Sequence, residues 1–188
     1  MRKIIVSNYA SLDGFFAGPN GEYDWFVWDE ETANYAKDLL SSIDTILFGR
    51  VTYELMAGYW PTASPPAEDP IIIDAMNNLP KIVFSKTLVK VAWKNSRLVK
   101  GNMADEVAKL KQQPGKDMVI YGSGTIVSAL SQLGLIDEYQ IFVNPVVLGS
   151  GKPLFQGIRD RMNLELLKTK TFRNGVVLLC YQPAGKEK

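Results

Sequence analysis

The chain has 188 residues, 46% of them hydrophobic and 22% charged. That length suits about one domain, and the mix excludes a disordered chain, a collagen-like repeat and a disulfide miniprotein. A balance of 21 basic and 20 acidic residues leaves a net charge of +1, which argues against a nucleic-acid binder. There is no histidine. The commonest general acid–base and the commonest zinc ligand are therefore missing, and no metal site is expected.

Met1–Val6 is basic and then apolar, but the apolar part is far shorter than the roughly 7–15 residues of a secretory signal. No run approaches the roughly 18 apolar residues of a membrane span, so a cytoplasmic protein without a membrane partner is expected. Residues 2–9 read as a strand that runs on into Ser11-Leu12-Asp13-Gly14, and Gly18-Pro19-Asn20-Gly21 is a turn. Residues 30–41 read as a helix, with Ala33, Ala36, Leu39 and Leu40 near period 3.6. Asp29, Glu30 and Glu31 at its start suit the positive end of the helix dipole. Ile43–Gly49 is a short apolar strand, and Val51–Ala57 a helix. Tyr59–Pro70 holds Pro61, Pro65, Pro66 and Pro70 and reads as a loop.

Ile71–Leu79 reads as a short helix and Pro80–Ser85 as a strand. Asn102 is an N-cap signal, with Asp105 and Glu106 in the first turn behind it; Pro114-Gly115 ends that helix. Asp117–Tyr121 is a strand, Thr125–Leu133 a helix, and Tyr139–Val147 a strand broken by Pro145. Leu164–Phe172 and Val176–Gln182 flank Arg173-Asn174-Gly175, a strong hairpin signal. The lone Cys180 falls in an apolar run and reads as core. Strands alternating with helices, then a strand-rich end, predict an α/β fold. Its sheet should be mixed but mostly parallel, flanked by helices, with an antiparallel C-terminal hairpin, in one domain spanning 1–188.

Three strand ends share one chemistry. Gly49-Arg50-Val51-Thr52, Ser85-Lys86-Thr87 and Gly122-Ser123-Gly124-Thr125 each bring small or basic residues to the carboxyl edge of a strand, where open α/β sheets bind ligands. Helix starts beside glycines offer free N–H groups to phosphates, and Arg50 and Lys86 add positive charge. Taken singly, Gly124 also suits a plain strand-to-helix turn, and Arg50 and Lys86 suit solvated surface positions. Together they point to a dinucleotide. Neither a P-loop nor a full G-x-G-x-x-G is present, and basic groups in place of a ribose-binding acid favour NADP.

Gly49-Arg50-Val51-Thr52-Tyr53-Glu54 resembles the Gly-Arg-x-Thr-aromatic-Glu motif of dihydrofolate reductases. Ser11-Leu12-Asp13-Gly14, Leu135-Ile136-Asp137-Glu138 and Pro145-Val146-Val147-Leu148-Gly149 resemble the reductase domain of the riboflavin-pathway deaminase-reductase. The match runs from Lys3 to about Gln182 and is best to small stand-alone bacterial members of this superfamily. The resemblance implies a dihydrofolate-reductase-like fold and an NADPH-dependent reductase of a small, pterin- or pyrimidine-like substrate. A riboflavin-pathway 5-amino-6-(5-phosphoribosylamino)uracil reductase and a non-catalytic NADP(H)-binding protein are the alternatives.

By resemblance, Gly49, Arg50 and Thr52 meet the 2′-phosphate and pyrophosphate, and Ser85, Lys86 and Thr87 the adenosine phosphate side. Gly122, Ser123, Gly124, Thr125 and Ile126 wrap the pyrophosphate and ribose. The backbone of Tyr9 and Ala10 holds the nicotinamide, with Phe16 close by. Leu55 and Met56 line the substrate pocket, and Trp25, Trp28, Tyr59 and Trp60 fall around its mouth. Asp13 and Glu30 are the candidate catalytic carboxyls, although Asp13 also suits an Asx turn and Glu30 a helix start. Ser7 stands where the riboflavin-pathway reductase has a lysine, and Gly122-Ser123 where both relatives have two glycines. A homodimer through about Tyr139–Tyr181 is expected, as in the riboflavin-pathway relatives.

Overall fold

The structure, a computed structural model, describes residues 1–185. Its strands alternate their side chains between two cores. In β1 (Ile4–Ser11) Ile4 and Val6 face one way and Ile5 the other; in β6 (Asp117–Ile120) Met118 and Ile120 oppose Val119. Between them they build one eight-stranded sheet. Its order is β5 (Ser96–Val99), β4 (Lys81–Phe84), β3 (Ile43–Gly49), β6, β1, β7 (Glu138–Asn144), β10 (Val177–Pro183) and β9 (Leu164–Thr171). The first six run parallel, and β10 and β9 are antiparallel additions. The expected architecture is therefore the observed one. Such a sheet needs cover on both faces. α4 (Met103–Gln112) and α5 (Gly124–Gln132) bury Val107, Leu110, Val127 and Leu130 on one face. α1 (Glu30–Ser42), α2 (Arg50–Tyr59) and α3 (Pro70–Asn78) bury Leu39, Leu40, Tyr53, Ile72 and Met76 on the other.

A third cluster joins Phe142, Phe172, Val176, Leu178 and Cys180; Cys180 is wholly buried, as its apolar run implies. The Asn174-Gly175 turn closes the hairpin, with Gly175 at φ 89 and Phe172 N–H donating to Val176 at 2.9 Å. Two expectations need correction. The strand from Tyr139 stops at Asn144, because Pro145 has no N–H for the ladder. The proline-rich loop contains a 3-10 turn, Trp60–Thr62. Two features carried no readable pattern: the edge strand β5, and a small sheet of β2 (Phe15–Ala17) with β8 (Lys152–Pro153). Among the described residues no helix is long and apolar enough to cross a membrane.

What positions the site is a parting of strands. The β1–β6 ladder ends at Val6, opposite Ile120, whereas the β1–β7 ladder continues to Ser11. Beyond Val6 a cleft opens at the carboxyl edge, and the Asn8 side chain spans it by accepting from Gly122 N–H at 3.2 Å.

Candidate active site

Five α-helices begin in two different ways. Asp29, Asp69 and Asn102 cap α1, α3 and α4 with side-chain oxygens, and Asp29 forms a full capping box with Thr32. α2 and α5 have no side-chain cap. Their first N–H groups are therefore left for another acceptor, and the helix dipole makes an anion the favoured one. These two starts lie together, since β3 and β6 are neighbours. A Cβ on Gly49 would stand 2.0 Å from Ser123 Oγ, and one on Gly122 would stand 3.0 Å from the Thr52 side chain. Gly122 also has φ +71, a conformation open to glycine. Ser123 follows at φ 66, rare for a side-chain-bearing residue. The two junctions thus form one cradle of backbone donors.

Beside the cradle lies a cavity of about 950 Å³. Tyr9, Phe16, Trp25, Thr52, Leu55, Met56, Trp60, Gly122, Ser123, Gly124 and Thr125 line it, all of them anticipated. Tyr9 stacks on Phe142 with ring centroids 4.8 Å apart, and lies 5.0 Å from Phe26 and 6.1 Å from Trp28. Phe142 faces Tyr9 directly in the β1–β7 register. Phe142, Tyr121, Glu68 and Lys152 also line the cavity, and no local sequence signal marks them. Burial pushes the Tyr9 and Tyr121 phenols well above the ordinary tyrosine value, and Tyr121 adds to the shift of Tyr9. Both stay protonated near neutrality.

The two carboxyls expected to be catalytic lie elsewhere. Asp13 accepts from Leu148 N–H at 3.1 Å, Gly149 N–H at 2.8 Å and the Ser11 hydroxyl at 2.7 Å. These bonds, the Ser11 one foremost, hold its carboxyl below the usual range. It braces two loops and does not line the cavity. Glu30 is exposed in the first turn of α1, outside the cavity, where it complements the helix dipole. Its neighbour Glu31 accepts from Arg173 N–H at 3.1 Å.

Ala10, Gly49 and Ile126 are buried but outside the lining. Arg50 is half-exposed at the start of α2 and pairs with Glu54 at 3.0 Å. Ser85, Lys86 and Thr87 follow β4, one strand further along the same edge; Ser85 Oγ accepts from Thr87 N–H at 3.2 Å and Leu88 N–H at 3.0 Å. None of these four lines the cavity. Among the described residues no group of three or more His, Cys, Asp or Glu could hold a metal ion.

A mostly parallel sheet, split at its carboxyl edge between a donor cradle and an aromatic cavity, defines an α/β protein of the dihydrofolate-reductase type. More particularly, the chain belongs to the RibD C-terminal domain family, which matches residues 2–178. It is 38% identical to the uncharacterized protein YyaP of Bacillus subtilis (strain 168) over 184 residues, covering 98% of this chain and 96% of that one.

Two solved structures share the fold. One is a deaminase/5-amino-6-(5-phosphoribosylamino)uracil reductase from Thermotoga maritima, with TM-score 0.71, 14% identity, and 97% of this chain covered against 57% of that one. The other is dihydrofolate reductase from Enterococcus faecalis complexed with NADP(H), with TM-score 0.65, 15% identity, and 97% and 96% covered.

Proposed function

We propose that the chain is an NADPH-dependent reductase of a small, flat heteroaromatic substrate. The observation that carries this reading is the meeting of two uncapped helix starts at the Gly49–Ser123 contact, beside an aromatic cavity. A pyrophosphate suits such a cradle. Thr52 and the backbone of Gly122, Ser123, Gly124 and Thr125 would hold it, with Arg50, Ser85, Lys86 and Thr87 toward the 2′-phosphate. The backbone of Tyr9 and Ala10, with Phe16, would hold the nicotinamide at the strand cleft. The names of the Thermotoga and Enterococcus neighbours, a uracil reductase and an enzyme crystallised with NADP(H), support the same reading.

When bound, NADPH supplies a hydride; the protein must position the acceptor ring, exclude water and hold a proton. Trp25, Leu55, Met56 and Trp60 would wall the ring. Asp13 and Glu30 lie away from it, and of the groups lining the cavity that could carry the proton the reading favours the buried phenols of Tyr9 and Tyr121. Burial keeps both protonated, and a phenol O–H beside a ring nitrogen or oxygen can donate to it as charge develops. The same reading makes the protein a cytoplasmic bacterial homodimer.

Calorimetric titration with NADPH and NADH tests the assignment. NADPH is expected to bind more tightly, and Arg50→Ala to weaken NADPH by about 1.5–3 kcal/mol, the worth of a hydrogen bond to a charged group. Equal affinity for the two cofactors, or an indifferent Arg50→Ala variant, would sink it.

A further inference from the structure

The cavity carries few charges, and the one cation is already matched by a neighbouring carboxylate. Among the described residues lining it, Lys152 is the one cation and Glu68 the one carboxylate. Lys152 lies in β8, paired with β2, whose Phe16 ring packs on Gly124 at the start of α5. Its ammonium lies 3.3 Å from the place of a Cβ on Gly21, and its charge acts on Glu22, so it is already matched by a carboxylate. Glu68 stands near the far end of α2, about 15 Å of helix away from the Gly49 junction. Its Oε1 accepts a 2.5 Å hydrogen bond from the Tyr59 hydroxyl, and the Tyr59 ring sits edge-on to Trp60 with centroids 5.3 Å apart.

Between Glu68 and the sheet the wall is aromatic and aliphatic. A phosphate brings up to two negative charges. Placed against that wall it would lose its hydration without gaining a cation, and Glu68 would repel it. A flat ring meets the opposite conditions: Tyr9 and Trp28 offer faces for stacking, and Glu68 offers an acceptor for an N–H or amino group. We infer that the substrate is a phosphate-free planar heteroaromatic, neutral or amino-bearing, selected by the aromatic wall and by Glu68 acting against anions. The inference rests on the reductase reading for which side of the cavity the cofactor takes.

Riboflavin and FMN, which differ by one phosphate, serve as probes, and quenching of the cavity tryptophans Trp25, Trp28 and Trp60 reads their binding. At saturating NADP⁺, riboflavin is expected to bind at least tenfold more tightly than FMN. In Glu68→Lys, a change in a surface loop whose folding is checked by circular dichroism, the gap should close to under threefold through tighter FMN binding. Equal or tighter FMN binding in the native protein, no saturable quenching by either compound, or an unchanged ratio in Glu68→Lys would overturn the inference. NADP⁺ affinity is measured in the same samples. Its absence would remove the reductase reading, and the change in FMN affinity between the native protein and Glu68→Lys would still decide whether Glu68 acts against anions.

Discussion

Adding one methyl group at Gly49 should damage the cradle and little else. Gly49 has φ −83 and ψ 167, extended backbone that alanine adopts freely, so the effect is steric. The new Cβ would lie 2.0 Å from Ser123 Oγ and 2.7 Å from Ser123 Cβ, against an ordinary contact of 3.4 Å or more. Ser123 must then retreat by about an ångström or more, and the start of α5 moves with it. Overpacking of this kind costs about 1–3 kcal/mol. For a chain of this size, each kcal/mol lowers the melting temperature by roughly 2–4 °C. The larger consequence is for binding. Displaced N–H donors forfeit charge-assisted bonds to the pyrophosphate worth about 1.5–3 kcal/mol, a loss of roughly tenfold to over a hundredfold in NADPH affinity.

Calorimetry on Gly49→Ala, run well below its melting point, measures that loss. Gly58→Ala is the control: it lies in the same helix with nothing within 4 Å of the added Cβ, and should bind normally and gain about 0.5–1 kcal/mol of stability. The double variant Gly49→Ala/Ser123→Gly removes both clashing atoms and should recover most of the affinity, a coupling that a double-mutant cycle isolates. Native NADPH binding by a folded Gly49→Ala protein would refute the two-helix cradle.

Asp13→Ala should lower the melting temperature at neutral pH while leaving turnover intact, because the carboxylate braces Leu148 and Gly149. The Ser11 hydroxyl and those N–H groups depress its pKa, so its stabilisation is complete above the ordinary carboxylate value and is lost as pH falls through the depressed one. The melting gap to the native protein should therefore shrink in acid; a gap that is constant with pH, or loss of turnover alone, would return Asp13 to catalysis. Tyr121→Phe keeps the ring and removes the proton, so turnover should fall roughly a hundredfold or more with NADPH affinity unchanged; retained turnover would exclude the phenol. Light scattering should find about twice the 21.0 kDa chain mass. Leu166→Glu, on the exposed face of the edge strand β9 where Leu166 and Leu167 are 56% and 44% exposed, should yield monomer, and a native monomer would contradict the dimer.

The legible parts of the fold were those encoded over a few neighbouring residues. Apolar runs such as Ile43–Gly49 mark strands buried on both faces, Asp29 and Asn102 mark helix starts, and Asn174-Gly175 marks the hairpin. The cradle is legible for the same reason: each junction is a strand, a glycine and a helix in sequence. The bracing contacts of Asp13 are not legible because its partners, Leu148 and Gly149, lie 135 and 136 positions away. An exposed Asp before Gly14 looks alike whether it braces a distant loop or meets a substrate. Phe142 is not legible as a site group because the β1–β7 pairing, not local pattern, sets its ring against Tyr9, and Tyr121, just past β6, carries no local signal that it lines the cavity. Glu68 sat in a proline-rich loop whose position depends on the Tyr59 hydroxyl.

The two halves of the site are built from different materials, and this explains why a chain without histidine can supply both. The cradle consists of backbone donors from β3–α2 and β6–α5, and it works because side chains are absent at Gly49 and Gly122. The opposite wall consists of side chains, among them Tyr9, Trp25, Leu55, Met56, Trp60 and Phe142, and offers bulk where the cradle offers backbone. The halves meet just past β6, where Tyr121 lines the cavity and Gly122 turns the chain into the cradle. Consecutive residues thus carry a protonated phenol and the first bend of the cradle. On the reductase reading proposed above, a group able to donate a proton would be fixed to the same backbone that would orient the cofactor, and the placement of acid against hydride source would depend on one strand end.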